Sequence, residues 1–433
     1  MLTNNKYIST KDLWLNDIPS HWEIRRLKYI ADLRFSNVDK NTIEEEQPVH
    51  LCNYMDVYRN DYITSDLDFM SASASEEEIL KFKLKKGDVL ITKDSETAND
   101  IAVPALVPED IDYVICGYHI AQIRPNKNIL NSEYLFNLFK AKPINVHFEI
   151  NATGVTRHGL SIDSLASVLL PLPPKAEQAA IVSYIKVYSD RIGKFIEKKQ
   201  LFLELLKEKR NILINQTIIT GIDRKGKKKQ SGIDWLDKIP EHWEITRCKN
   251  VFREIDVRSE NGGEELLSVS HYDGVKKRSE KDVTMFLAED YTGSKLCWPG
   301  DLVINIMWAW MGALGISKEH GIVSSAYGVY RLKEPEKYNP EYLDLLLRHP
   351  GYITEYTKRS KGVHSSRARM YSDEFFTVMI LTPPVEEQDE IVEYIKSETR
   401  TIDIAIAKAE REIELIKEYK EAMIAEAVMG IIF

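Results

Sequence analysis

Leu172-Pro173-Pro174-Lys175-Ala176-Glu177-Gln178 opens a long proline-free run, and Thr382-Pro383-Pro384-Val385-Glu386-Glu387-Gln388 opens another. Proline is tolerated at the first helical positions, where its missing N–H would have no partner. Glu177 and Glu387 then fall in the first turn, at the positive end of the helix dipole. Apolar residues follow at three- and four-residue steps. In the first run they are Ile181, Ile185, Tyr188, Ile192, Ile196, Leu203, Leu206 and Leu213. In the second they are Ile391, Ile395, Ile402, Ile406, Ala409, Ile413, Ile416, Met423 and Ala427. Pro384 stands 210 residues after Pro174, and the two runs match at that offset. Such spacing predicts two helices with a coiled-coil seam, each about 60 Å long at about 1.5 Å per residue.

The repeat reaches beyond the helices. Trp14-Leu15-Asn16-Asp17-Ile18-Pro19-Ser20-His21-Trp22-Glu23-Ile24 returns as Trp235-Leu236-Asp237-Lys238-Ile239-Pro240-Glu241-His242-Trp243-Glu244-Ile245. The period is too long for a solenoid and indicates two tandem copies of one large unit. The repeated Trp, His and Pro read as framework packing rather than a binding site. In each copy a Gly-Asp turn (Gly87-Asp88, Gly300-Asp301) leads into an apolar strand. A second strand follows at Tyr118–Ile123 and Tyr327–Leu332. Asn131 and Asn339 stand where helix N-caps belong. A last strand covers 167–170 and 377–380. Each copy therefore reads as an α+β globule ending in a long helix, with boundaries at 1–172, 173–220, 235–382 and 383–433. Residues 221–234, rich in Gly and Lys, read as a flexible linker. Gly221, Gly226 and Lys227 mimic a phosphate-binding loop, but Lys228 stands where Ser or Thr is required. Leu51–Lys83 and Lys93–Asp100 find no likeness in the second copy. A shared scaffold with different loops suits two modules with different ligands.

The net charge of −9 argues weakly against nucleic acid, although affinity follows the local interface rather than the total. Cys52, Cys116, Cys248 and Cys297 are widely spaced and read as buried free thiols. No signal peptide is legible in Met1–Lys11 and no run is apolar enough to span a membrane, so a cytoplasmic protein is expected. Neither a methyltransferase loop nor a dinucleotide, hydrolase or zinc motif occurs, so no catalytic residue, metal or cofactor is expected in this chain. The most basic stretch outside the linker is Lys358–Arg369, whose counterpart is Gly154–Leu160. Cations, hydroxyls and glycine in one loop suit phosphate contact and base-edge readout. Trp308 and Trp310 follow the second Gly-Asp turn with Asn305 nearby, and at least one of them belongs to the core.

Together the paired Trp-Leu-x-x-Ile-Pro-x-His-Trp-Glu starts, the Gly-Asp turns, Ser324-Ser325-Ala326-Tyr327 and the paired Pro-Pro-x-x-Glu-Gln helix starts resemble the specificity subunit of Type I restriction-modification systems. The resemblance covers nearly the whole chain. It implies two target-recognition domains of mixed α/β structure, separated by two long antiparallel coiled-coil helices and related by a pseudo-twofold repeat. It also implies a bipartite double-stranded DNA target. The implied partners are two methylation subunits and restriction/translocase subunits, with S-adenosylmethionine, ATP and Mg residing in those partners. Candidate DNA contacts are then Lys93, Ser95, Tyr118, His119, Arg157 and His158 in the first copy. In the second they are Trp308, Trp310, Ser325, Tyr327, Lys358, Lys361, His364, Arg367 and Arg369. The candidate helix interface comprises Ile192, Ile196, Lys199, Leu206, Arg210, Glu398, Ile402, Ile406, Ala409 and Ile413. With the helix ends aligned, Lys199 faces Ala409, Tyr188 faces Lys420 and Arg210 faces Glu398. The second copy's loop is longer than Gly154–Arg157, so contacts do not transfer between copies. The competing reading is a coiled-coil scaffold whose globular domains bind proteins.

Overall fold

The computed structural model describes residues 7–8, 15, 17–280, 290–362 and 368–432. The chain divides into two compact units. One comprises Met1–Gln200 with Glu410–Phe433, the other Leu201–Ala409. Each unit thus groups one globular domain with part of both long helices, a different partition from cutting at the helix starts.

In the first unit a four-stranded antiparallel sheet runs in the order Ala31–Phe35, Ile120–Pro125, Val89–Thr92, Pro104–Leu106. Val89–Thr92 is buried along its length, as the apolar run after Gly87-Asp88 predicts. The second unit repeats this sheet as Phe252–Glu254, Gly328–Leu332, Leu302–Ile304, Leu314–Ile316. The Gly-Asp turns share one network. Asp88 accepts from Arg124 Nε at 2.7 Å and Nη2 at 2.8 Å, and Asp301 takes the same fork from Arg331 at 2.7 Å twice. Gly87 and Gly300 adopt φ of +93° and +91°, a region open to glycine.

The last strand of each globule, Leu169–Leu172 and Met379–Thr382, pairs antiparallel with the strand after the repeated Trp, Glu23–Arg26 and Glu244–Arg247. The copies diverge in their smaller sheets. The first has Val114–Cys116, Gln47–Cys52 and Met70–Ala74 in one sheet; the second has, among the described residues, two separate antiparallel pairs, Leu267–Ser270 with Gly274–Lys277 and Lys295–Cys297 with Gly321–Val323. Residues 228–233, within the stretch expected as a flexible linker, instead form a strand against Leu236–Pro240 with a bulge. Its polar residues need only backbone pairing on an exposed edge, which composition does not forbid.

The long helices span Lys175–Thr220 and Val385–Val428, 46 and 44 residues. Within each unit their segments pair antiparallel. In the first, Ile181 and Ile185 pack with Met423, Ile424 and Ala427, while Lys199 reaches Glu412. In the second, Ile214 and Ile218 pack with Ile391, Val392 and Ile395. There Arg210 bonds Asp403 at 2.6 Å, not Glu398. Side chains lean toward their helix N-terminus, which carries the guanidinium past the facing turn. Ile192, Ile402, Ala409 and Ile413 are buried, whereas Leu206, Ile196 and Ile406 are only partly covered.

Asn131 and Asn339 cap their helices, each accepting two backbone N–H groups. All four cysteines are buried and free. Among the described residues no helix is long and apolar enough to cross a membrane.

Candidate nucleic-acid interface

In each unit one end of the four-stranded sheet gathers the candidate residues. In the first unit that end is where Val89–Thr92 stops and Ile120–Pro125 starts, since the strands are antiparallel. Lys93 N donates to the His119 carbonyl at 3.1 Å, and Leu160 N donates to the Lys93 carbonyl at 2.8 Å. Asp94-Ser95 pairs with His158-Gly159. Three segments remote in sequence are thereby stitched together, and Lys93, Ser95, Tyr118, His119, Arg157 and His158 become neighbours.

At the centre lies Asp94, absent from the sequence-based set. Its Oδ2 is 2.7 Å from His119 Nδ1, and its Oδ1 makes an ion pair with Arg157 Nη2 at 2.8 Å. Lys93 turns inward. Its ammonium donates to the Ser36 carbonyl at 3.2 Å and lies 4.3 Å from the Tyr118 ring centre, and burial lowers its pKa. It therefore supports Tyr118 through a cation–π contact. Ser95 is buried, while Tyr118 and Arg157 are exposed. Beside Arg157 opens a cleft of about 590 Å³ lined by Tyr54, Tyr58, Ser95, Thr97, Asp100 and Thr156, with Glu96. Tyr54 and Tyr58 stack at 5.5 Å, and the Tyr58 hydroxyl donates to Asp100 at 2.8 Å. Sequence reading missed both tyrosines. Their spacing on a helix, Tyr54–Arg59, was the available signal.

The second unit builds its counterpart from different residues. Met370 N donates to the Ile306 carbonyl at 2.9 Å, matching the Leu160–Lys93 bond. Asn305 Nδ2 donates to the Tyr327 hydroxyl at 2.9 Å and its Oδ1 accepts Met307 N. Trp308 is 53% exposed, whereas Trp310 is half-buried and donates to the Met307 carbonyl. Ser325 is exposed. Lys358 pairs with Glu355 at 3.3 Å and Asp234 at 3.7 Å, and Lys361 pairs with Glu374. The local positive charge of this stretch is thus partly neutralised. Lys361 and Arg369 exchange backbone hydrogen bonds that close the loop, as Thr153 and Gly159 do in the first unit. His364 and Arg367 lie outside the described residues.

Each unit also has a cleft beside its own helix segments. Val182, Ile185, Lys420 and Ile424 line one of about 510 Å³. Val392, Ile395, Arg210 and Ile214 line its counterpart of about 340 Å³.

A tandem pair of α+β domains, each with long antiparallel helix segments and with differing loops on equivalent sheet ends, makes this an internally duplicated two-module chain. Residues 19–204 match the Type I restriction modification DNA specificity domain. The MjaVIII type I restriction enzyme specificity subunit of Methanocaldococcus jannaschii is 24% identical over 93% of this chain and 91% of its own. The EcoBI specificity subunit of Escherichia coli is 24% identical over 65% of this chain and 62% of its own. Another type I relative from M. jannaschii is 26% identical, over 54% of each chain. A chain from a solved type I restriction-modification assembly shares the fold, with a TM-score of 0.65, 16% identity, and coverage of 95% of this chain and 99% of that one. The chain is thus similar to specificity subunits of Type I restriction-modification systems, with a family match over residues 19–204 and one relative aligned along most of both chains.

Proposed function

We propose that this chain reads an asymmetric, bipartite double-stranded DNA target for a Type I restriction-modification complex. Each recognition domain reads one half-site, and the long helices set the spacing. The chain recruits two methylation subunits and the restriction/translocase subunits, which supply the chemistry with S-adenosylmethionine, ATP and Mg; it carries no catalytic step itself. The observation that supports this best is the equivalent sheet end in both units, which presents Asp94, His119 and Arg157 in one and Asn305, Tyr327 and Trp308 in the other. One scaffold with two loop sets gives two different readouts. The repeated clefts along the helices suit a partner present twice.

Sequencing modified bases tests this reading. DNA methylated by the methylation subunits with this chain should carry modification at one split, asymmetric site, and omission of the chain should abolish it. Modification that is unchanged without the chain overturns the reading.

A further inference from the structure

We propose that Arg157 is the base-reading side chain of the first domain, that it selects guanine in a G·C pair, and that Asp94 and His119 hold it in place for that task. The inference rests on the DNA-reading function and deepens it.

The Asp94 carboxylate is largely buried, and it is shared between His119 Nδ1 at 2.7 Å and Arg157 Nη2 at 2.8 Å. The ion pair occupies one terminal nitrogen of a guanidinium that carries five N–H donors. The Arg157 side chain is 55% exposed, so its remaining donors face solvent. An arginine held on one edge and open on the other loses little freedom when it docks, and its fork matches guanine O6 and N7.

The backbone under Arg157 is also set. Gly154 has φ of +143°, and a Cβ there would lie 1.9 Å from the Arg157 carbonyl oxygen. Only glycine permits that approach. Thr153 and Gly159 close the loop with reciprocal backbone hydrogen bonds of 3.0 and 2.8 Å. Val155, at its tip, is 96% exposed, so the loop projects from the domain. The flanking cleft provides Asp100 and Glu96. Carboxylates accept from the cytosine N4 amino group, so donor and acceptors side by side complement the two edges of one G·C pair. Carboxylates here would repel a phosphate, which argues against backbone contact as the role of this arginine. Among the described residues the second domain shows no such carboxylate-held arginine at the equivalent sheet end. The matched Lys93 and Ile306 carbonyl bonds place Met307 where the first domain has Asp94.

The test uses the full chain assembled with methylation subunits, a randomised DNA pool and sequencing of modified molecules. Arg157→Ala should lower selection for guanine at one position of one half-site by about ten- to a hundredfold, leaving the other half-site unchanged. Asp94→Asn, which keeps size and removes charge, should relax the same position and no other. Because Asp94 is a positioning residue, the double variant should lose little more than Arg157→Ala. Uniform weakening on all sequences with a flatter salt dependence would mark a phosphate contact and overturn the proposal. Unchanged selection in Arg157→Ala would do so too. If that variant fails to assemble, Arg157→Lys decides: retained affinity with relaxed guanine selection supports the proposal, and intact selection overturns it. A wild-type complex that selects no sequence would remove the DNA-reading function itself. A selective wild type with an unaffected Arg157→Ala would remove only this assignment.

Discussion

The indole Nε1–H of Trp22 donates to the Glu177 carboxylate at 2.8 Å, and His21 Nε2 lies 2.9 Å from the same group. Trp243 and His242 hold Glu387 in the same way. The two repeated phrases, His-Trp and Pro-Pro-x-x-Glu-Gln, are therefore halves of one clamp between globule and helix. The glutamine completes it. Gln178 accepts from Asn131 N and donates to the Ile129 and Pro173 carbonyls, and Gln388 does the same with Asn339, Lys337 and Pro383.

Glu177→Leu should destabilise the first unit by about 1–3 kcal/mol, because the buried Trp22 N–H loses its acceptor. Glu177→Gln retains an acceptor oxygen and should cost less. Denaturant unfolding of the two variants measures the difference, and Glu387 should repeat the order in the second unit.

Asp88 is almost completely buried and carries Arg124, Gln122 and the Lys85 N–H. Asp88→Ala would strand the Arg124 guanidinium, at a cost of about 3–5 kcal/mol. Asp301→Ala should cost less, since the Arg331 side chain is 33% exposed against 21% for Arg124. Chemical denaturation of the paired variants checks the order.

His349 gives the second unit a pH dependence. Its Nδ1 accepts from Gly351 N at 3.0 Å and its ring stacks on Trp235. Burial lowers its pKa to about 4 from 6.5. The folded state binds the proton less readily than the unfolded chain, so the contribution is complete above about pH 6.5. It is lost as pH falls through about 4, by up to about 3 kcal/mol. Unfolding measured at pH 7 and pH 4.5 should show the loss, and His349→Asn, which can still cap the helix, should flatten it.

Phe195 and Phe202 are 42% and 45% exposed on the first long helix. Large apolar groups of this kind mark interaction surfaces. In the proposed complex, Phe195→Asp and Phe202→Asp should weaken capture of methylation subunits at least tenfold while circular dichroism stays unchanged. Unaltered capture would place the partner elsewhere.

Much of this architecture is legible one residue at a time. Proline at helix starts, Asn131 and Asn339 at caps, the apolar steps from Ile181 to Ala427 and the duplicated Gly-Asp turns each act within a few residues or repeat in register. The linker expectation erred because Lys228–Ile233 is polar and yet has a partner strand just beyond one turn. The helix register erred at Arg210 because a long side chain reaches past the position its backbone faces.

The amino-acid sequence by itself determined the duplication, the helices, the caps and the places where the loops of the two copies diverge. These depend on local spacing and on comparison of one copy with the other. Only the tertiary structure decided that Lys93 faces inward, and that Asp94 joins His119 and Arg157 beside Tyr54 and Tyr58. Strand pairing sets those contacts across long stretches of chain, and no local pattern records which carboxylate a folded sheet will place under which arginine.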